Sequence, residues 1–96
     1  MTDDALSIAD TDAGDLATLA DLHALAFDEP WSRQAIAGAL QGPGGVAFIA
    51  YAGGRAAGFV LGRTTVDECE ILTLAVLPVV RRRGLGRALV ERLLSR

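Results

Sequence analysis

Leu74 Ala75 Val76 Leu77 Pro78 Val79 Val80 Arg81 Arg82 Arg83 Gly84 Leu85 Gly86 Arg87 is the stretch on which the fold turns. Its first four residues end an apolar run that begins at Cys69, and Pro78 stops that run. From Gly84 the apolar residues take helical spacing: Leu85, Leu89 and Leu93 form one row, Val90 and Leu94 the next, and Arg87, Arg92 and Arg96 fall elsewhere. A strand therefore passes through an arginine-rich turn into a helix. A helix N-terminus carries roughly half a positive charge, so each arginine there costs on the order of 0.3 to 1 kcal/mol. Arg81, Arg82 and Arg83 make sense ahead of the first turn if a phosphate sits at its mouth, hydrogen-bonded by free backbone N–H groups. Gly84 and Gly86 let a pyrophosphate approach the backbone and tolerate positive φ.

Three other readings compete for the same residues. A triple arginine is often a solvated surface run, but such a run needs neither the glycines nor the strand before it. A dinucleotide fingerprint requires a third glycine where Leu89 stands, and an acidic residue about 20 positions further on. A nucleic-acid patch interleaves cations with aromatics, whereas the single Trp and single Tyr lie far upstream.

Working outward, Cys69 to Leu77 is apolar on both alternating faces apart from Glu70 and Thr73, which predicts a strand buried on two sides in mid-sheet. Upstream, Val46–Tyr51 and Ala56–Leu61 flank Gly53 and Gly54, a hairpin signal. Ser32 is a plausible N-cap for a short helix with Ile36 and Leu40 inward, ended by Gly42, Pro43, Gly44 and Gly45. Before it, Thr11 or Asp12 caps a helix whose inward face is Leu16, Leu19, Ala20, His23 and Phe27. A short apolar stretch at Leu6 and Ile8 precedes everything. The order is helix, helix, strand, strand, strand, helix, an α/β or α+β class after a short first strand. Arg87 and Glu91, four apart, are placed to pair.

Composition narrows the function. Ninety-six residues, 51% of them hydrophobic and 22% charged, make one small globular domain, 1–96, without repeats. All nine cations are arginine, so a Walker phosphate loop, which needs lysine, is excluded. The net charge of −3 argues against general nucleic-acid affinity, yet it hides a polarity: residues 1 to 30 hold eight acids and no Arg, while residues 81 to 96 hold six arginines and one acid. One Cys and one His build neither a disulfide nor a four-ligand zinc site, so no metal is expected. With an acidic N-terminus and no apolar run of about 20 residues, a cytoplasmic protein without membrane association is the expectation.

The stretch Val76 to Leu89 resembles the acyl-coenzyme A binding motif of the GNAT superfamily of N-acetyltransferases. In that motif Arg or Gln, two residues, Gly, one residue, then Gly or Ala bind the pyrophosphate; the matching positions are Arg81, Gly84 and Gly86. Glu70 to Val76, and the segment Phe27 to Ser32 with its Pro30 Trp31 Ser32 ending, are similar to bacterial ribosomal-protein alanine N-acetyltransferases, the RimI-like branch. The resemblance implies a mixed, mainly antiparallel sheet flanked by helices, here expected to lack the family's C-terminal strands. It implies acetyl-CoA as co-substrate and an amine acceptor, a protein or peptide N-terminus of the ribosomal-protein kind. Backbone groups of Leu74, Ala75 and Val76 would bond the pantetheine arm. Arg82, Arg83, Gly84, Leu85, Gly86 and Arg87 would line the pyrophosphate turn, led by Arg81.

Phe27 and Trp31 would border the acceptor groove; Trp31 beside a proline also fits a cap on the core. The family's general base, a glutamate, and acid, a tyrosine, belong to segments after this helix and match no residue of these 96. Glu68 and Glu70 are the local alternatives for a base. His23 reads as a partly buried core or surface residue, and Cys69 as a small buried apolar one. An open sheet edge near Leu72, Leu74 and Val76 is expected to promote self-association. A CoA-binding module without turnover is the alternative function.

Overall fold

A computed structural model describes residues 6–78 and 84–95. The hairpin forms as the glycines dictate: β2 (Gly45–Ala52) and β3 (Arg55–Thr64) are joined by Gly53 and Gly54, with φ of 60° and 82°. Two successive positive φ values suit the right-handed twist of the flanking strands. β1 (Leu6–Asp10) pairs with β2 and β4 (Cys69–Val76) with β3, giving an antiparallel sheet in the order β1-β2-β3-β4.

Alternation along the central strands sends apolar side chains to both faces, and each face has its own cover. Phe48, Ala50 and Val60 meet α3 (Leu85–Leu94) through Leu85, Leu89 and Leu93. Ala47, Ile49, Phe59 and Leu61 meet Leu19 and Leu22 of α1 (Leu16–Ala26) and Ile36 of α2 (Arg33–Gln41). The result is three layers, helix, sheet, helix pair.

The Ser32 cap forms as expected, whereas the first helix starts later than expected, with Asp15 as the N-cap of α1 and no side-chain cap bond. The Ser32 hydroxyl accepts the Ala35 N–H at 3.0 Å. Asp12 caps a 3-10 turn, Ala13–Asp15, that leads into α1, with Asp15 returning the bond to the Asp12 N–H. Thr11 instead donates its hydroxyl to the Ala47 carbonyl at 3.0 Å, tying the chain to β2.

Four expectations are corrected. Among the described residues β4 is an edge strand, with Cys69, Glu70 and Ile71 exposed and Leu72 to Val76 half-buried, because apolar faces report on the layers above and below and not on lateral neighbours. Cys69 is therefore a free, exposed thiol. On α1 the helix ends at Ala26, so Phe27 is an extended cap residue 38% exposed, and Leu22 joins the inward face. On α3 Leu94 turns to solvent at 64% exposure, while Arg92 lies over the Phe48 ring at 4.7 Å and bonds Asp10 at 2.7 Å.

Candidate functional site

The site begins with the two directions of hydrogen bonding in β4. The Leu77 N–H donates to the Ala57 carbonyl at 2.8 Å, and Ala75 opposite Phe59 and Thr73 opposite Leu61 share that phase. In an antiparallel ladder the intervening residues point the other way. Leu74 and Val76 therefore direct N–H and C=O to the outer edge of β4, while their side chains pack beneath α3. The register passes from Leu61↔Thr73 to Gly62↔Ile71, leaving Leu72 as a bulge residue that adds local twist.

The start of α3 lies beside this strand end. Among the described residues outside its own helix, a Cβ placed on Gly86 would meet only Val76 Cγ2, at 3.7 Å, an ordinary contact. Gly84 is the N-cap at φ 79°, ψ 10°, without a side-chain cap. The Ala88 N–H makes the first backbone bond of the helix, to the Gly84 carbonyl at 3.0 Å. Helix geometry leaves the N–H groups of Leu85, Gly86 and Arg87 without an intrahelical partner. Gly84 thus owes its conformation to the absence of a side chain, whereas at Gly86 no packing contact among the described residues requires that absence. Leu85 anchors this turn in the core. Arg87 reaches into solvent and pairs with Glu91 at 3.2 Å, an exposed pair worth a few tenths of a kcal/mol at most. Arg81, Arg82 and Arg83 lie outside the described residues.

The second group of candidates gathers around His23. Its ring is buried, with Phe27 at 4.4 Å, Trp31 at 5.4 Å and Phe59 at 5.6 Å between centroids. Nδ1 accepts the Trp31 backbone N–H at 3.1 Å, and Nε2 faces the Thr73 hydroxyl at 3.3 Å. An accepting Nδ1 assigns the proton to Nε2, so the ring donates to Thr73. Burial holds its pKa below the ordinary 6.5, which favours this neutral form. Sequence reasoning set His23 aside; the one available signal was a histidine on an otherwise apolar helix face. Phe27 and Trp31 are brought to this cluster and remain partly exposed.

Other candidates fall elsewhere. Glu70 is exposed at the beginning of β4, four residues and about 13 Å of strand from Leu74. Glu68 sits in the preceding turn, its backbone held by Thr65. A cavity of about 380 Å³ lies at the opposite end of the sheet between Thr11, Leu16, Leu40 and Val46. Three of the polar side chains along it are engaged within the protein, Asp12 by Gly14, Thr11 by Ala47 and Asp10 by Arg92, while Gln41 also lines it.

The sequence model of the Acetyltransferase (GNAT) family matches residues 16–96. The chain belongs to the GNAT family. This GNAT chain is 32% identical over 89 residues to the [Ribosomal protein bS18]-alanine N-acetyltransferase of Escherichia coli K12, covering 93% of the chain and 60% of that relative. The chain therefore spans about 60% of the length of the curated relatives it matches. The crystal structure of the ribosomal-protein-S18-alanine N-acetyltransferase from Escherichia coli superposes with a TM-score of 0.83 at 31% identity, over 95% of this chain and 58% of that one. Arabidopsis thaliana Naa50, in complex with a bisubstrate analogue, shares the GNAT fold: TM-score 0.77 at 23% identity, over 94% and 62% of the two chains. No helix among the described residues is long and apolar enough to cross a membrane.

Proposed function

We propose that this chain binds acetyl-CoA along the outer edge of β4 and across the first turn of α3, as part of an N-acetyltransferase that acts on a protein N-terminal amine. The observation that carries the reading is the 3.7 Å approach of the Gly86 position to Val76. It brings outward-facing backbone of β4 beside a helix start whose first N–H groups have no partner in the helix.

The chemistry of the turn fits the polar ends of the co-substrate. Leu85, Gly86 and Arg87 N–H groups bind pyrophosphate oxygens, and Arg81, Arg82 and Arg83 neutralise it. Gly84 gives the turn its left-handed residue. Along β4, Leu74 supplies the amide pattern that a pantetheine arm pairs with, in the manner of an added strand; Ala75 and Val76 flank it. Acetyl-CoA supplies the activated acyl carbon: the amine nitrogen bonds to it as the carbon–sulfur bond breaks and CoA leaves as its thiol. Phe27 and Trp31 form the acceptor side, held close to β4 by the His23 bonds to Trp31 and Thr73. The likeness to ribosomal-protein alanine acetyltransferases supports an N-terminal alanine as the amine.

Calorimetric titration with acetyl-CoA and mass spectrometry of a panel of N-terminal peptides test the two halves of this reading. Saturable binding that weakens with salt is expected, together with acetylated peptide. No heat with acetyl-CoA overturns the reading; binding without transfer to any peptide overturns the acceptor half.

A further inference from the structure

Outside the cofactor turn, His23 is the buried titratable group whose bonds join separate parts of the chain. It bridges two elements distant in sequence, the segment before α2 and strand β4, 50 residues away. Without His23 the Trp31 N–H has no other bond among the described residues, since the helix that follows starts only at Arg33. The bridge to Thr73 lands one residue before Leu74, at the site's strand.

We propose that His23 is a proton-sensitive positioning residue: neutral, it holds segment 27–31 against β4 by accepting the Trp31 N–H, and protonated it releases that segment. This rests on the reading of Phe27 and Trp31 as the acceptor side. An imidazolium has two N–H donors and no acceptor, so Nδ1 meets the Trp31 N–H donor to donor. The groups against the ring are Phe27, Trp31, Phe59 of β3 and Thr73 of β4, none of them charged. The ionisable side chains on those elements are Asp21 of α1, Asp28 and Glu29 of the segment, Arg55 and Arg63 of β3, and Cys69 and Glu70 of β4. The ion pairs described in the structure join Arg87 to Glu91 and Arg92 to Asp10, and none reaches the ring. No carboxylate is therefore in place to stabilise the imidazolium, and burial works against it.

Trp31 is the chain's single tryptophan, so its fluorescence reports on this segment alone. In the folded chain, with circular dichroism constant over the range, Trp31 emission is expected to change in one transition below pH 6.5. Over that transition the Trp31 amide should exchange about tenfold faster, the effect of one lost hydrogen bond. His23→Asn places an amide oxygen near the Nδ1 position; it should keep the neutral-pH emission and lose the transition. His23→Leu should show the released emission at every pH. Should both variants fail to fold, the parent's amide exchange and the ring-nitrogen shifts of His23 decide alone. Emission that stays flat while the ring titrates, or a proton on Nδ1 at neutral pH, overturns the proposal. Acetyl-CoA titration of the parent at neutral pH, read by calorimetry, separates it from the functional reading, because that measurement does not depend on Trp31 emission. A parent that binds no acetyl-CoA refutes that reading and leaves the Trp31 result to judge the role of His23.

Discussion

Helices α2 and α3 begin in opposite ways. At α2 the Ser32 hydroxyl takes the Ala35 N–H, and the Ser32 carbonyl takes the Ile36 N–H, so the first turn is closed by the protein's own atoms. At α3 a left-handed glycine stands at the N-cap, no side chain among the described residues caps the first turn, and three arginines precede it in sequence. A cap contributes about 1 kcal/mol, which α3 forgoes. The contrast separates a terminus closed by the residue at its own N-cap from one whose first donors have no intrahelical partner and, in the reading proposed above, serve a ligand. At the cavity at the far end of the sheet, the Thr11, Asp12 and Asp10 side chains on the wall are bonded internally, as at α2.

The contrast is broken most strongly at Gly86. Gly86→Val should reduce acetyl-CoA affinity roughly a hundredfold or more, the loss of about two charge-assisted bonds. Its melting temperature should stay close to the parent's, because among the described residues outside its helix a Cβ there finds only an ordinary contact. A fall in melting temperature that accompanies lost binding would assign the glycine to packing. Arg82→Ala with Arg83→Ala should weaken binding roughly tenfold and flatten its salt dependence, read by calorimetry at several ionic strengths. Binding as tight as the parent's would detach these arginines from the phosphate. Ser32→Ala should do the reverse of Gly86→Val: about 1 kcal/mol of stability lost in urea melts, with acetyl-CoA affinity unchanged.

The smallest effect is the proton linkage of His23. Its pKa is lowered in the folded chain, so below about 6.5 the unfolded chain binds a proton that the folded chain refuses. Its contribution is complete above that pH and declines as pH falls toward the folded pKa. Urea melts of the parent and His23→Asn should therefore converge as pH drops from 7 toward 5. A gap that stays constant or widens would mean that burial does not favour the neutral ring.

What the sequence made legible was local. The Leu85, Leu89, Leu93 row, the Gly53–Gly54 hairpin and the Ser32 cap each depend on residues within a few positions, and each formed as read. Lateral position in the sheet did not show, because a half-covered edge strand carries the same apolar alternation as a central one; Cys69 and Ile71 were misplaced for that reason. The candidate site divides in the same way. Gly84 and Gly86 stand out by their spacing, whereas the bonds of His23 depend on Thr73, 50 residues on, and on a backbone N–H that no motif encodes. Arg92 found Asp10 across 82 residues by the same kind of tertiary meeting.

Amide shifts recorded while acetyl-CoA is titrated into the isotope-labelled chain test the central claim directly, because they compare both ends of the sheet in one experiment. The account predicts saturable shifts at Leu74, Leu85, Gly86 and Arg87, with Thr11, Gln41 and Ala47 around the large cavity unmoved. Shifts that cluster at Thr11, Gln41 and Ala47 and spare the start of α3 would contradict it.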